Sequence, residues 1–126
     1  MKLKTALTVA CLVGIALPAH ADGDAEAGEK VFRKCKACHM IGEGAKPRVG
    51  PPLTGVVGAE VASNEDFKYS DAFMAKKEEG MVWSEDNLAA YLENPRDFIP
   101  GNKMSFAGLR KEEDRADVIA YLETFE

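Results

Sequence analysis

Toward the end of the chain, apolar residues recur at helical spacing. In "KEEDRADVIAYLETF", Val118, Tyr121, Leu122 and Phe125 fall on one stripe and charged residues occupy the other faces. That pattern predicts an amphipathic helix with one buried side. A second helix is predicted near the start, where Asp24 can cap "AEAGEKVFRKC", a run without proline. On it Gly28 and Phe32 share a face at i, i+4 spacing, and Cys35 follows about one turn later. Ser84 is a good cap for "EDNLAAYLE", with Glu85 and Asp86 near the positive end of the helix dipole and Pro95 stopping the helix. A short helix through "DAFMAKK" starts at Ser70 or Asp71. Residues 40–69 hold five glycines and three prolines, too many for regular helix, and a second loop runs from Pro95 to Arg110. No stretch alternates over strand length. The expectation is an all-α single domain of helices and long loops, without repeats.

The first 21 residues stand apart. Lys2 and Lys4 precede an apolar run of 12 residues from Ala6 to Leu17, Pro18 breaks it, and Ala19-His20-Ala21 offers a small-x-small cleavage pattern. The run is shorter than the ~20 residues a spanning helix needs, and a polar "DGDAEAGE" follows it without a basic flank. These features predict an export signal (residues 1–21) cleaved after Ala21, and one domain over residues 22–126. Cleavage leaves 105 residues, enough for one core. It also removes Cys11, His20 and two lysines, leaving 14 basic against 21 acidic residues and a net charge of −7. Such an acidic chain is a poor general binder of nucleic acid. No stable membrane insertion is expected, and the periplasm is the predicted location.

After cleavage Cys35, Cys38 and His39 are the last cysteines and histidine of the chain, all within "CKACH". A structural zinc site wants about four ligands, and no fourth Cys or His exists. A thioredoxin-like pair belongs at a helix start in a βαβ pattern, which is absent here. A plain disulfide leaves His39 unexplained. The reading that uses all three residues is covalent attachment of one haem c: both thiols bond to the vinyl groups, and His39 lies beneath the iron as proximal ligand.

A sixth ligand is then required, unless the site is open. Of the four methionines that follow the signal, Met40 adjoins His39 and belongs on the wrong side of the porphyrin. Met74 falls in a predicted helix, and Met81 lies in an apolar patch with Trp83. Met104 sits in "IPGNKMSFAG", a loop punctuated by Pro100, Gly101 and Gly108 that can bring a side chain to a fixed point. Thioethers are more often core filler than ligands, so composition makes Met104 a favourite and no more.

Taken in order, "GEKVFRKCKACH", "GPPLTGVVG", "FKYSDAF", Trp83, "YLENPRDFIPGNKMSFAG" and "RADVIAYL" span nearly the whole mature chain. Together they resemble the class I c-type cytochromes, close to mitochondrial cytochrome c and the soluble bacterial cytochrome c2 group. The resemblance implies the small cytochrome c fold, with helices and long loops wrapped around one haem and the terminal helices packed together. Gly28 and Phe32 would then meet Val118 and Tyr121. It implies Met104 as second axial ligand, so that the metal ligands are His39 and Met104. Pro51 would support His39 through its backbone carbonyl. Tyr69, Ser70 and Trp83 match positions that hydrogen-bond a haem propionate, Tyr91 one near the methionine sulfur, and Phe106 one shielding the haem edge. As residues alone, Tyr69 and Tyr91 read equally well as aromatic core. Two departures stand out. Ala59 occupies a position where many relatives carry arginine, and Asn102 replaces a common threonine beside the methionine, its amide still able to donate.

The function so implied is that of a monomeric one-electron carrier and not an enzyme. It would run between a cytochrome bc1-type donor and a terminal oxidase or photosynthetic reaction centre. A basic rim of Lys34, Lys36, Arg96, Lys103, Arg110 and Lys111 would dock it. Two alternatives remain. One is an open-site haem protein for peroxide or diatomic-gas chemistry, although no second histidine offers distal acid–base help. The other is a cytochrome subunit of a periplasmic dehydrogenase.

Overall fold

The computed structural model describes residue 14 and residues 23–126. The export signal and its cleavage point lie outside the described residues. Five helices follow in chain order: α1 (Ala25–Phe32), α2 (Asp71–Glu78), α3 (Glu85–Glu93), α4 (Pro95–Phe98) and α5 (Glu112–Glu123). Among the described residues there is no strand, and a single antiparallel bridge joins Glu60 to Val82. The fold is all-α, as the spacing predicts.

Each helix begins where its capping chemistry places it. Asp24 accepts from the backbone N–H groups of Glu26 and Ala27, Ser70 from Phe73, and Ser84 from Asn87. The helix expected through Cys35 ends earlier, at Phe32, and the chain continues in turns to Cys38. One element was not anticipated. Pro95 ends α3, but Asn94 accepts from the Asp97 N–H and Pro95 becomes the first residue of α4. Asparagine before proline is itself a start signal, since proline at the first helical position lacks an N–H that would go unpaired anyway.

α1 lies directly against α5. Gly28 is buried where a Cβ would run into the Asp117 carbonyl and sit 2.8 Å from Cβ of Tyr121. The missing side chain lets the two backbones approach. Phe32 packs its ring 5.3 Å from that of Tyr121 and shares a core cluster with Val118, Leu122 and Leu109. Full burial of such an aromatic contributes ~1.5–3 kcal/mol. The predicted stripe of α5 is therefore present, with Val118 and Leu122 buried and Tyr121 and Phe125 half-buried. A second cluster gathers Val61, Trp83, Leu88, Tyr91 and Ile99 on the other side of the molecule. The two clusters share neighbours in Val56, Val57 and Leu92, and between them the chain encloses a cavity.

Candidate haem site

The cavity has a volume of about 900 Å3. Its walls bring together all ten residues singled out in the sequence, from Cys35 and Cys38 in the turn after α1 to Met104 and Phe106 in the loop before α5. Of the four methionines, Met104 alone lines it. Met40 and Met74 are 37% and 42% exposed, and Met81 packs against the second core cluster.

His39 enters from the turn after α1, where its backbone N–H bonds to the Cys35 carbonyl. Its Nδ1 donates to the Pro51 carbonyl at 2.7 Å. A proton on Nδ1 leaves the Nε2 lone pair free, which is the state an imidazole ligand needs. Burial lowers the His39 pKa and so favours the neutral ring, with the Pro51 bond acting the other way. Gly50 is buried against this ring; a Cβ there would fall 2.8 Å from Nδ1. Sequence reasoning left this residue out of the site, although "GPP" placed it beside Pro51.

Cys35 and Cys38 are not joined in a disulfide, so both sulfurs are available for attachment. Burial first, then the neighbouring Cys38, pushes the Cys35 thiol up to about 11, with Lys34 pulling the other way. A thiol held protonated is unlike the reactive thiolate of a redox pair. Zinc does not fit either: among the described residues no three His, Cys, Asp or Glu side chains converge on one point.

Tyr91 and Met104 line the same cavity as His39, and the Tyr91 hydroxyl donates to the Met104 sulfur at 3.6 Å. Tyr91 is buried, and that desolvation raises its pKa, keeping the phenol a donor. The Asn102 amide donates, as expected, and does so to backbone carbonyls. Its nitrogen donates to the Pro95 and Ile99 carbonyls, both at 2.8 Å, while its oxygen accepts from the Met104 N–H at 2.9 Å. The amide ties the loop to α4.

One wall is a run of aromatic rings. Phe73 lies 6.0 Å from Tyr69, 6.1 Å from Trp83 and 5.9 Å from Tyr91. Phe73, like Phe67, lines the cavity but was not singled out in the sequence, because an aromatic on a short helix reads as core. Tyr69 accepts from the Asn64 N–H and Ser70 from the Phe73 N–H, so each hydroxyl keeps its own hydrogen for donation. Ala59 lines the same cavity, and Lys68, next to Tyr69 in sequence, is a cation that lines it too. Of the expected rim all six residues are exposed, and Lys34 and Lys103 lie at the cavity itself.

A large, mostly apolar cavity with two thiols and an imidazole from one turn and a thioether from another loop fits a covalently attached haem. Fold and site together define a small c-type haem protein of the electron-carrier kind. The chain belongs to the cytochrome c family, whose model, described as "Cytochrome c", matches residues 25–126. It is 49% identical over 122 residues to cytochrome c2 of Rhodomicrobium vannielii, covering 97% of this chain and 94% of that one. It is also 46% identical over 103 residues to cytochrome c of Stellaria longipes, covering 81% of this chain and 93% of the plant protein. Among solved structures, cytochrome c2 from Rhodospirillum centenum superposes with a TM-score of 0.78 at 39% identity, over 82% of this chain and 98% of that one. Membership carries the cofactor: the protein holds covalent haem c, with Cys35 and Cys38 in the spacing that attachment requires.

Proposed function

We propose that this protein is a periplasmic one-electron carrier whose haem is attached through Cys35 and Cys38 and ligated by His39 and Met104. The observation that carries the reading is the meeting of these four residues in one cavity, with Met104 the sole methionine there. Cys35 and Cys38 would each hold the haem through a thioether, their S and H having been added across a vinyl double bond without redox change. Haem, when bound, supplies an iron that alternates between ferrous and ferric states.

The residues around it would hold that iron for electron transfer. The Pro51 carbonyl fixes the His39 tautomer, and Tyr91 aims the Met104 sulfur. Met/His ligation raises the potential relative to harder ligands. Tyr69, Ser70 and Trp83 would donate to the propionates, and Phe106 would cover the haem edge. Residues 1–21 would be removed after Ala21, and residues 22–126 would form the working domain. Among the described residues no helix is long and apolar enough to cross a membrane. The rim of Lys34, Lys36, Arg96, Lys103, Arg110 and Lys111 would meet an acidic face of the redox complexes that load and unload the carrier.

Acid-acetone extraction and a potentiometric titration test this reading together. The haem should stay with the polypeptide, the titration should follow a single one-electron curve, and the reduced protein should not bind carbon monoxide. Free haem in the solvent, or carbon monoxide binding by the wild type, would overturn it.

A further inference from the structure

We propose that Asn102 is a positioning residue, holding the Met104 backbone to α4 and thereby setting how readily the thioether yields its place to a competing ligand. The idea rests on Met104 being the sulfur ligand. Every polar bond of the Asn102 side chain points into this one joint. Two donors close on carbonyls at the start and end of α4, those of Pro95 and Ile99, and the oxygen takes the Met104 N–H. Its own backbone N–H also donates to Ile99, at 3.2 Å. Both carbonyls also accept a backbone N–H, Pro95 from Ile99 and Ile99 from Asn102, so the amide adds a second bond to each and draws the two ends of α4 to one point.

The anchor is firm. Pro95 and Ile99 are both fully buried, so the clamp refers Met104 to the core and not to another loop. Gly101, at φ +86°, turns the chain so that Asn102 can reach back. Met104 is therefore held at two points, its backbone by Asn102 and its sulfur by Tyr91. A methionine side chain has three rotatable bonds. With the backbone released, the sulfur would sample many positions, and a competitor would meet less resistance.

The test uses the haem-loaded protein as wild type, Asn102→Ala, Asn102→Ser and Val118→Ala. Imidazole affinity of the oxidised form and hydrogen exchange of the Met104 amide are measured for each. Asn102→Ala should bind imidazole about tenfold more tightly, equivalent to about 1.4 kcal/mol, and exchange the Met104 amide faster. Asn102→Ser keeps one acceptor and one donor and should fall between, about threefold tighter. It decides the matter if Asn102→Ala does not retain haem. Val118→Ala, in the α1–α5 interface, should lower the melting temperature with imidazole affinity within about twofold of wild type. Asn102 variants within twofold of wild type, or a Val118→Ala protein that gains as much affinity, would overturn the proposal. A wild type without sulfur–iron absorption would instead refute Met104 as ligand.

Discussion

His39 is fixed from two sides by backbone that has no catalytic chemistry of its own. The Pro51 carbonyl takes its Nδ1 hydrogen at 2.7 Å, and Gly50 leaves room for the ring that any Cβ would fill. Met104, which lines the same cavity, is likewise held by a neighbour, Tyr91, whose hydroxyl reaches the sulfur. A hydrogen bond to sulfur draws electron density from the thioether and makes it a poorer donor to ferric iron. Tyr91→Phe should therefore stabilise the ferric state and lower the reduction potential. A difference of about 1 kcal/mol in that bond between the two oxidation states, the whole of a typical hydrogen bond, would shift a one-electron couple by roughly 40 mV. Equilibrium titration against redox mediators checks this, and an unchanged or raised potential would reduce Tyr91 to core filler. At this scale the attachment residues were legible because covalent chemistry demands a fixed spacing. Met104 was less so, since its claim over Met40, Met74 and Met81 depends on which side chains face a cavity. The direction of the Asn102 amide was not legible at all. It depends on the turn at Gly101 and on a helix, α4, whose start signal had been read only as a stop.

The contact between α1 and α5 is the joint that closes the molecule around its cavity. It depends on Gly28, where a Cβ would collide with the Asp117 carbonyl. The Asp24 N–H adds a bond of 2.7 Å to the Asp117 carboxylate at the same joint. Gly28→Ala should force the helices apart and cost about 1–3 kcal/mol, the usual range for overpacking. Denaturant unfolding of the haem-loaded protein gives the number. A loss below about 0.5 kcal/mol, the scatter of surface changes, would mean that the helices shift freely and that close approach is not what this glycine provides. Elements of this kind were readable because caps and apolar stripes are local. Asp24, Ser70 and Ser84 each cap the helix expected of them. The early end of α1 was not readable, because Arg33 to Cys38 form turns although no glycine or proline there marks a break.

For the molecule as a whole, charge and exposure decide how it meets a partner. Lys34 and Lys103 are exposed at the cavity, and the chain as a whole is acidic. A basic rim on an acidic body has a dipole that orients encounters without tight binding. Lys34→Glu combined with Lys103→Glu should slow the second-order electron transfer at low salt by about tenfold, within the range steering supplies. Added salt should slow the wild type too, as screening shortens to ~10 Å at 0.1 M. A variant as fast as wild type would make the rim ordinary surface, and a wild type that speeds up with salt would give the docking role to the acidic patches. Beneath the docking lies the central claim that this chain fills both axial positions of one haem, with His39 on one side and Met104 on the other. Its most direct test is the absorption spectrum of the oxidised protein in the sulfur–iron charge-transfer region, wild type beside Met104→Ala. The band should be present in the wild type and absent from the variant, whose reduced form should then bind carbon monoxide. A band that survives the loss of Met104 would contradict the assignment and pass the ligand role to another methionine.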